Sequence, residues 1–274
     1  MAPGAAARAL KLHVVAPRQG AVWVRRGFGV LVRQPFGFAG LFAACLFGLM
    51  LVGLVPLLGS MAFAVLPLCA LLFMVGTRRT LDDLSPVPGA FVEVARSGRP
   101  RLIVLAKLSL VCGLAILGVL WIGNIVDGGA LEALQQSTAS AEQMNARLAD
   151  PALRTGVFTR LVLLLLIAIP AWHAPALVHW AGTSWPKALV FSAVACWRNK
   201  AAFAVYAVCW LAVWLVMAMI VSLCATLIGP TRTVAIVVPL SLAFWTAVGA
   251  SLYFTFADCF QTAPALPEPD AEAI

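Results

Sequence analysis

Two histidines lie close together in the stretch AWHAPALVHWAGTSWPK, the densest group of reactive side chains in an otherwise apolar sequence. Imidazole transfers protons near neutral pH and is a common metal ligand, so this stretch is the first candidate for chemistry. His173 and His179 are six residues apart, which on a straight helix separates them by about 120° and makes them poor joint ligands for one metal. Pro175 lies between them and could bend the helix enough to change that geometry.

Three interpretations of this histidine stretch remain open. It could be a belt of aromatic and imidazole side chains at a membrane interface, together with Trp172, Trp180 and Trp185. It could instead hold a haem or a metal ion, or use His173 to transfer a proton. The third histidine of the chain, His13, is remote in the sequence, so we expect the structural role, with no metal and no cofactor.

Charged side chains within the apolar runs of the sequence are the next candidates, because charge is costly in a bilayer and often marks function. Lys107 and Arg160 qualify, and each lies within about two helical turns of an interface. Snorkelling toward the headgroups explains both, and binding of an anionic headgroup is the alternative. No Asp or Glu lies in any run, which argues against proton- or sodium-coupled transport. The candidate polar cluster in the membrane comprises His173, His179, Lys107, Tyr206 and Ser109.

The position of His173 can be predicted from the prolines on either side of it. Pro170 and Pro175 distort the helix and free backbone carbonyls. A histidine at this depth is costly where it faces lipid. We therefore expect His173 to face the interior of the bundle and to bond a freed carbonyl or a hydroxyl such as that of Tyr206 or Ser109.

Signatures of catalysis are missing from the sequence. It contains no Walker motif, no GxSxG, no HExxH and no dinucleotide-binding fingerprint. Its seven cysteines are an odd set without a CxxC pair, so we expect neither a disulfide nor a metal site. We therefore predict that the chain has no catalytic residues and is not an enzyme.

The composition sets the class of protein. The chain has 274 residues, of which 62% are hydrophobic and 11% charged, with a mean hydropathy of +0.98. Soluble domains carry about 25% charged residues. The composition therefore excludes a soluble globular enzyme, a disordered chain and a disulfide-stapled secreted domain. The net charge of +8 fits basic loops that orient helices and contact anionic lipid, rather than a nucleic-acid-binding surface.

Six apolar runs are long enough to cross about 30 Å of hydrocarbon. We predict an all-α polytopic membrane protein whose six transmembrane helices form three hairpins. The string LVGLVPLLGSMAFA resembles a signal peptide, but a long segment precedes the first run and another run follows at once, so we expect an uncleaved helix. The predicted runs are Phe36–Val55, Met61–Gly76, Leu102–Ile122, Phe158–Val178, Ala201–Ile228 and Thr233–Phe256.

Basic residues are distributed unevenly between the two sides that six spans define. The side with both termini carries 14 Lys and Arg residues in its loops, whereas the other side carries three, Arg147, Arg154 and Arg232. The positive-inside rule assigns the richer side to the cytoplasm. We therefore predict that both termini are cytoplasmic and that the loop 123–156 is periplasmic.

Each pair of spans follows a short basic stretch, namely AVWVRRGFGVLVRQPF, AFVEVARSGRPRL and ALVFSAVACWRNKAAF. In the first, the arginines fall within an arc of about 100° and apolar side chains lie opposite, which is typical of a helix in the headgroup plane. In the second, Glu93 lies one turn from Arg96, where the two can pair. We predict three cytoplasmic interfacial amphipathic helices, with headgroup contacts from Arg25, Arg26, Arg33, Lys187 and Arg198.

A single domain is predicted between two tails. Residues 14–260 form the six-helix domain, 1–13 form a flexible N-terminal tail, and 261–274 form a disordered acidic tail rich in proline. The outer loop contains Ala130–Leu148, which has a helical composition. We expect a solvated helix there, and a lid that binds a partner or a ligand is the alternative.

The stretches WHAPALVHWAGTSWPKALVFSAVACWRNKAAF, LYFTFADCF and WVRRGFGVLVRQPFGFAGLF resemble an uncharacterised family of six-span proteobacterial inner-membrane proteins, described as hypothetical transmembrane proteins. The resemblance extends from Val14 to Phe260. More distantly, APALVHWAGTSWPKALVFS is similar to the membrane domain of some glycerophosphodiester phosphodiesterases. These resemblances imply a six-helix fold in a bacterial inner membrane. They bring no catalytic residues, because the hydrolase half of those fusions is absent.

Two classes of function follow from this reasoning. The first is a non-enzymatic module that organises or regulates membrane partners, and the second is a passage for a lipid or a small, weakly polar solute between the repeats. A polar cavity lined by Lys107, Ser109, His173 and Tyr206 would favour passage, whereas a solid apolar core would favour the module. The expected partners are membrane lipids with anionic headgroups, and nucleic acid is not expected.

Small residues at four-residue spacing add a further candidate for a partner. They recur along the first and the sixth span, where they let helices approach closely. Packing within the chain is one interpretation, and a homo-oligomer or another membrane protein at this face is the other. The two ladders are Gly40, Ala44 and Gly48, and Ala243, Ala247 and Ser251.

Overall fold

The structure is a computed structural model that describes residues 10–55, 59–135 and 150–262. Within these ranges, six helices are long and apolar enough to cross a membrane, as the sequence predicts. Each overlaps one predicted run, and five of the six are longer than predicted. The chain is therefore an all-α polytopic membrane protein. The spans are Pro35–Leu54, Met61–Leu81, Arg99–Asp127, Pro151–Ala181, Lys200–Ile228 and Thr231–Cys259.

The first two spans differ in regularity. Helix α1 (Gln19–Arg33) precedes them, and α2 (Pro35–Leu54) is the first span. Pro35 begins α2, where its missing N–H would have no helical partner in any case. The second span is composite, because a 3-10 helix (Gly59–Val65) leads directly into α3 (Leu66–Leu81).

Glycines mark both ends of the third span. A short helix, α4 (Gly89–Ala95), is followed by the long α5 (Arg99–Asp127). Gly98 lies between them with φ at 91°, a conformation that strains any residue with a side chain. Gly128 ends α5 in the left-handed conformation, with φ at 60°.

The outer loop is shorter than the predicted range 123–156, because α5 continues past residue 123 and α7 (Pro151–Ala171) begins before residue 156. Asp150 caps α7 by accepting a hydrogen bond at 2.9 Å from the backbone N–H two residues later. The predicted loop helix Ala130–Leu148 is described only at its start, as α6 (Ala130–Gln135), and its remainder lies outside the described residues.

The second half of the chain contains the broken fourth span and two of the three longest helices that the structure describes. The fourth span consists of α7 and α8, which are joined at a break. Gly182 ends α8 with φ at 65°, and α9 then connects the fourth span to the fifth. The helices are α8 (Ala174–Ala181), α9 (Trp185–Arg198), α10 (Lys200–Ile228) and α11 (Pro230–Cys259).

A short ribbon joins the two predicted tails, and the sequence analysis missed it. Strand β1 (Leu10–Leu12) pairs with β2 (Phe260–Thr262) in an antiparallel arrangement. The predicted tail boundaries, 1–13 and 261–274, were therefore wrong, because backbone hydrogen bonds hold the inner residues of both tails together. Since the two strands pair, the chain enters and leaves the helix bundle on the same side. The remainder of both tails lies outside the described residues.

Helix α1 packs across α10 and α11 at the end of the bundle that carries the ribbon. Its buried face includes Trp23, Val24 and Val30. A Cβ added at Gly27 would lie 2.8 Å from the Ala247 carbonyl and from the Ser251 Cβ. The small residues of the sixth span therefore provide the surface on which α1 packs.

The small residues of the first span have a different environment. A Cβ added at Gly40 or at Gly48 would meet no atom of a neighbouring element within 4 Å among the residues that the structure describes. Close approach of a neighbouring helix within the chain therefore does not explain these glycines. A partner at this face stays a prediction.

The spans differ in how far neighbouring helices enclose them. Every residue from Leu71 to Thr77 on α3 is buried, because α3 lies between α4, α5 and α11. In contrast, the most apolar part of α10 contains no buried residue. Helix α10 therefore presents a long apolar surface to the membrane.

Candidate functional site

The break in the fourth span creates the most connected group of polar side chains. Helix α7 ends at Ala171 and α8 begins at Ala174, so His173 lies at the join. The Ile169 carbonyl there accepts hydrogen bonds from Ser192 Oγ at 3.2 Å and from Cys196 Sγ at 3.6 Å. Side chains of α9 therefore satisfy the backbone that the proline-containing break exposes.

The backbone and the ring of His173 are both fixed. Its N–H donates to Ser192 Oγ at 2.9 Å, and its ring Nε2 lies 3.3 Å from Thr255 Oγ1. The residue is fully buried, and the rings of Phe203, Phe256 and Phe260 surround it. The acceptor is thus a hydroxyl of α11, and not Tyr206 or Ser109 as expected.

Hydrogen bonds of Thr255 determine which ring nitrogen of His173 carries the proton. The single hydroxyl proton of Thr255 is donated to the Leu252 carbonyl at 2.7 Å. The oxygen of Thr255 also accepts a hydrogen bond from Trp172 Nε1 at 3.1 Å. It can therefore only accept from His173, which makes Nε2 the protonated nitrogen. Two buried N–H groups thus share one acceptor.

The predicted polar cluster is not one cluster. Tyr206 Oη and Ser251 Oγ are 2.6 Å apart, and Tyr206 shares aromatic neighbours with His173. Lys107 is exposed and Ser109 half-buried on α5, outside this aromatic group. The structure therefore brings together two of the predicted residues, because α10 and α11 both pack beside the break, whereas α5 packs on α7.

His179 belongs to a separate group at the end of α8. Its Nε2 lies 3.7 Å from Glu93 Oε1, and the same carboxylate is 3.7 Å from Arg78 and from Arg79. Arg96 is one turn from Glu93 in the sequence, but it is not among the ion-pair partners of this carboxylate in the described residues. The arginines at the end of α3 lie on the side of α4 where Glu93 points.

Arg160 does not snorkel to the interface, as the sequence analysis expected. Its Nη1 is 2.5 Å from Asp127 Oδ2, and the two side chains are only 9% and 0% exposed. Gly123 faces the Arg160 side chain and Gly156 faces Asp127, so these glycines provide the space for the pair. The prediction that no carboxylate lies in a span was also wrong, because α5 extends beyond the predicted boundary at Ile122.

The predicted headgroup contacts lie in two kinds of environment. Arg26 forms an ion pair with Asp258 at 3.6 Å and lies over the Phe254 ring at 5.6 Å. The same carboxylate accepts hydrogen bonds from Gln19 and Trp23, so it fixes α1 on α11. All five predicted residues are exposed, and the other four form no ion pair with a carboxylate that the structure describes, namely Arg25, Arg33, Lys187 and Arg198.

An aromatic groove lies beside the break, and the sequence analysis missed it. We define the groove as the cavity of about 700 Å³ between α7, α9, α10 and α11. Trp214 and Trp245 are each more than half exposed along it, whereas Trp210 is buried. Lys200 lies at its rim, with Nζ 4.8 Å from the Trp197 ring. The spacing of Trp210 and Trp214, one turn apart on α10, could have indicated this face.

Chemical reactivity of the thiol beside this groove is low. Burial raises the pKa of the Cys196 thiol to about 12, so a nucleophilic thiolate is disfavoured at neutral pH. Within the described residues, no group of three or more His, Cys, Asp or Glu side chains could hold a metal ion. The arrangement around His173 can donate and accept hydrogen bonds, and it binds helices together.

Comparison with known proteins gives one informative match. No family model matches this chain, and no solved structure matches it. A curated protein of Burkholderia thailandensis, named a probable inner membrane protein, is 30% identical over 268 residues. The match covers 94% of this chain and 98% of that protein. The expected similarity to the membrane domain of glycerophosphodiester phosphodiesterases stays a prediction.

Proposed function

This chain belongs to the family of inner membrane proteins that includes the Burkholderia thailandensis protein, and from that premise we propose a non-enzymatic module that binds and organises membrane lipid. The observation that carries the proposal is the aromatic groove. Its walls are almost entirely apolar, and exposed tryptophans line it along the length of a lipid chain. A groove that opens sideways in a membrane helix bundle is accessible to acyl chains.

Lys200 gives the groove a polar end. Lys200 is the first residue of α10, and its ammonium group lies against the ring of Trp197 near the end of α9. Trp197 is 71% exposed. Trp and Lys at the end of a membrane helix are typical of the headgroup region. A phospholipid would therefore lie with its chain along α10 and its phosphate near Lys200.

The three interfacial helices of the proposal are α1, α4 and α9, each before one pair of spans. Helix α9 supports this best, because Val190, Phe191 and Val194 are exposed on it while Lys187 and Arg198 lie near its two ends. Exposed apolar residues flanked by basic ones fit the boundary between headgroups and acyl chains. On this proposal the basic side of the bundle, with both termini, is cytoplasmic.

Passage of a solute is the less favoured function. A passage would be favoured by a polar cavity lined by Lys107, Ser109, His173 and Tyr206. In the structure, His173 is enclosed by aromatic rings, and Lys107 is exposed on another helix. A closed core at the break supports a module that holds lipid at its surface.

Native mass spectrometry of the purified protein tests the proposal. Wild-type protein, extracted in mild detergent, should retain about one phospholipid per chain. Ala207 is exposed and lines the groove, so Ala207→Trp should fill it and abolish retention. Ala218 is exposed on the same helix outside the groove lining, so Ala218→Trp is the matched control and should retain lipid as the wild type does. Equal retention by both variants would contradict the proposal.

A further inference from the structure

A second cavity lies at the basic side of the bundle, away from the aromatic groove. It has a volume of about 630 Å³ and lies between α3, α4, the start of α5 and the end of α8. We call it the arginine pocket. It shares no lining residue with the aromatic groove. The residues that matter for its chemistry are Arg79, Glu93, Arg96, Arg101, His179 and Trp180.

Positive charge in the arginine pocket exceeds negative charge. Three guanidinium groups line the pocket, and Glu93 is the one carboxylate among its lining residues. That carboxylate already faces Arg78, Arg79 and His179, each at 3.7 Å. Arg96 and Arg101 form no ion pair with any carboxylate that the structure describes. Two guanidinium groups are therefore available for an anion.

The turn between α4 and α5 directs both free arginines to the same cavity. Arg96 ends α4, and Arg101 lies in the first turn of α5. Gly98 lies between them, and its positive φ of 91° allows the chain to reverse within a few residues. The two arginines thus line the pocket from two different helices.

Buried polar atoms in the pocket wall have no partner among the described residues. They are His179 Nδ1 and Trp180 Nε1. Both residues line the pocket, and His179 is only 5% exposed. An indole N–H can only donate, and leaving it buried without an acceptor is destabilising. The pocket therefore lacks an acceptor.

We propose that the arginine pocket binds a phosphate group. Guanidinium groups bind phosphate oxygens in pairs, and phosphate supplies the acceptors that the buried donor requires. The volume lies within the range of about 300–1,000 Å³ that is usual for small-molecule sites, so the phosphate can carry an organic substituent. The phosphate belongs either to a lipid headgroup or to a soluble phosphorylated compound. This inference does not depend on lipid in the aromatic groove.

Calorimetric titration of the full-length protein, in a detergent with an uncharged headgroup, tests the proposal. The probes are inorganic phosphate and a short-chain phosphatidic acid. The double variant Arg96→Gln/Arg101→Gln should weaken binding at least tenfold. The matched control is Arg99→Gln/Arg154→Gln, which removes the same charge from exposed positions outside the pocket lining and should weaken binding less than threefold.

A conservative variant separates the pocket from general charge effects. Trp180→Phe keeps the aromatic ring but removes the N–H donor, and it should weaken binding about threefold without any change in net charge. Binding of both probes would indicate that phosphate alone suffices, and binding of phosphatidic acid alone would identify a lipid headgroup. Failure of both probes to bind, or equal weakening by the two double variants, would overturn the proposal. Ala207→Trp should leave phosphate binding unchanged, so the two sites fail or succeed independently.

Discussion

At the scale of single residues, Thr255 is the acceptor on which the break in the fourth span depends. Trp172 Nε1 donates to its hydroxyl at 3.1 Å, and His173 Nε2 lies at 3.3 Å. The break therefore needs an oxygen from α11 as well as the side chains of α9. Hydrogen bonding of this kind binds the fourth, sixth and interfacial helices into one unit.

Thr255→Val should destabilise the protein by about 1–3 kcal/mol, because it leaves the buried ring N–H of His173 and the half-buried indole N–H of Trp172 without an acceptor. Thermal unfolding in detergent measures this. The control is Thr226→Val, since Thr226 also donates to a carbonyl three residues earlier but is exposed. The control should change stability by less than about 0.5 kcal/mol. An equal loss in both variants would contradict the role of Thr255.

The buried pair Asp127–Arg160 gives a second prediction at the residue scale. Arg160→Met removes the charge but keeps a similar length, so the Asp127 carboxylate remains buried without its counter-charge and keeps only backbone hydrogen bonds such as that from Gly129, which costs about 3 kcal/mol. The double variant Asp127→Asn/Arg160→Met should be more stable than the sum of the two single changes implies. Chemical unfolding of the three variants gives the coupling energy. Arg154→Met, at an exposed position on the same helix, is the control.

Additive effects of the two single changes would show that the pair does not stabilise the fold. The predicted coupling is at least about 1.5 kcal/mol, because the two charges contact each other directly and their side chains are only 9% and 0% exposed. Gly123 and Gly156 make the pair possible by leaving room for both side chains.

At the scale of the elements, α1 is held to the bundle by packing and by Asp258. Gly27 allows its backbone to approach α11, while Asp258 accepts hydrogen bonds from Gln19 at 2.6 Å and from Trp23 at 2.8 Å. The arginines of α1 remain exposed, and Arg26 in addition pairs with Asp258. The helix thus has one face on protein and one face available for headgroups.

Gly27→Ala should destabilise the protein by about 1–3 kcal/mol, because the added methyl group would collide with the α11 backbone. Gly40→Ala adds the same group to a helix where nothing lies within 4 Å. It should leave stability unchanged or raise it by up to about 1 kcal/mol through helix propensity. Thermal unfolding of both variants distinguishes tight packing of α1 from loose attachment, since a loosely attached α1 would tolerate both changes equally.

At the scale of the whole molecule, paired terminal strands and six spans put both ends of the chain on the basic side. The ribbon of β1 and β2, helix α1 and the arginine pocket all lie at that side. The buried pair Asp127–Arg160 lies at the other end, near the outer loop. The basic side of the bundle thus carries exposed positive charges. Near the outer loop, in contrast, the charges of Asp127 and Arg160 are buried and paired with each other.

Alkaline phosphatase fusions test the orientation, because this enzyme becomes active only after export from the cytoplasm. A fusion appended to Ile274 should be inactive, and a fusion within Ala130–Leu148 should be active. Immunoblots of both fusions serve as the control for expression. The reverse pattern of activity would refute the cytoplasmic assignment of the termini.

The sequence was sufficient to predict the six spans and the all-helical class. Each span is a continuous apolar segment of about 20 residues, and the free energy of burying such a segment in lipid depends on its own composition. The same local reasoning placed a distortion beside His173, because Pro170 and Pro175 act on the backbone that contains them.

The hydrogen-bond and ion-pair partners of the polar side chains could be identified only from the tertiary structure. Asp127 and Arg160 are 33 residues apart, His173 and Thr255 are 82 apart, and Trp23 and Asp258 are 235 apart. No periodicity within a helix connects such pairs. The aromatic groove and the arginine pocket likewise combine side chains from four elements each. Which faces meet depends on the packing of whole helices, and that packing is a property of the assembled bundle rather than of any one segment.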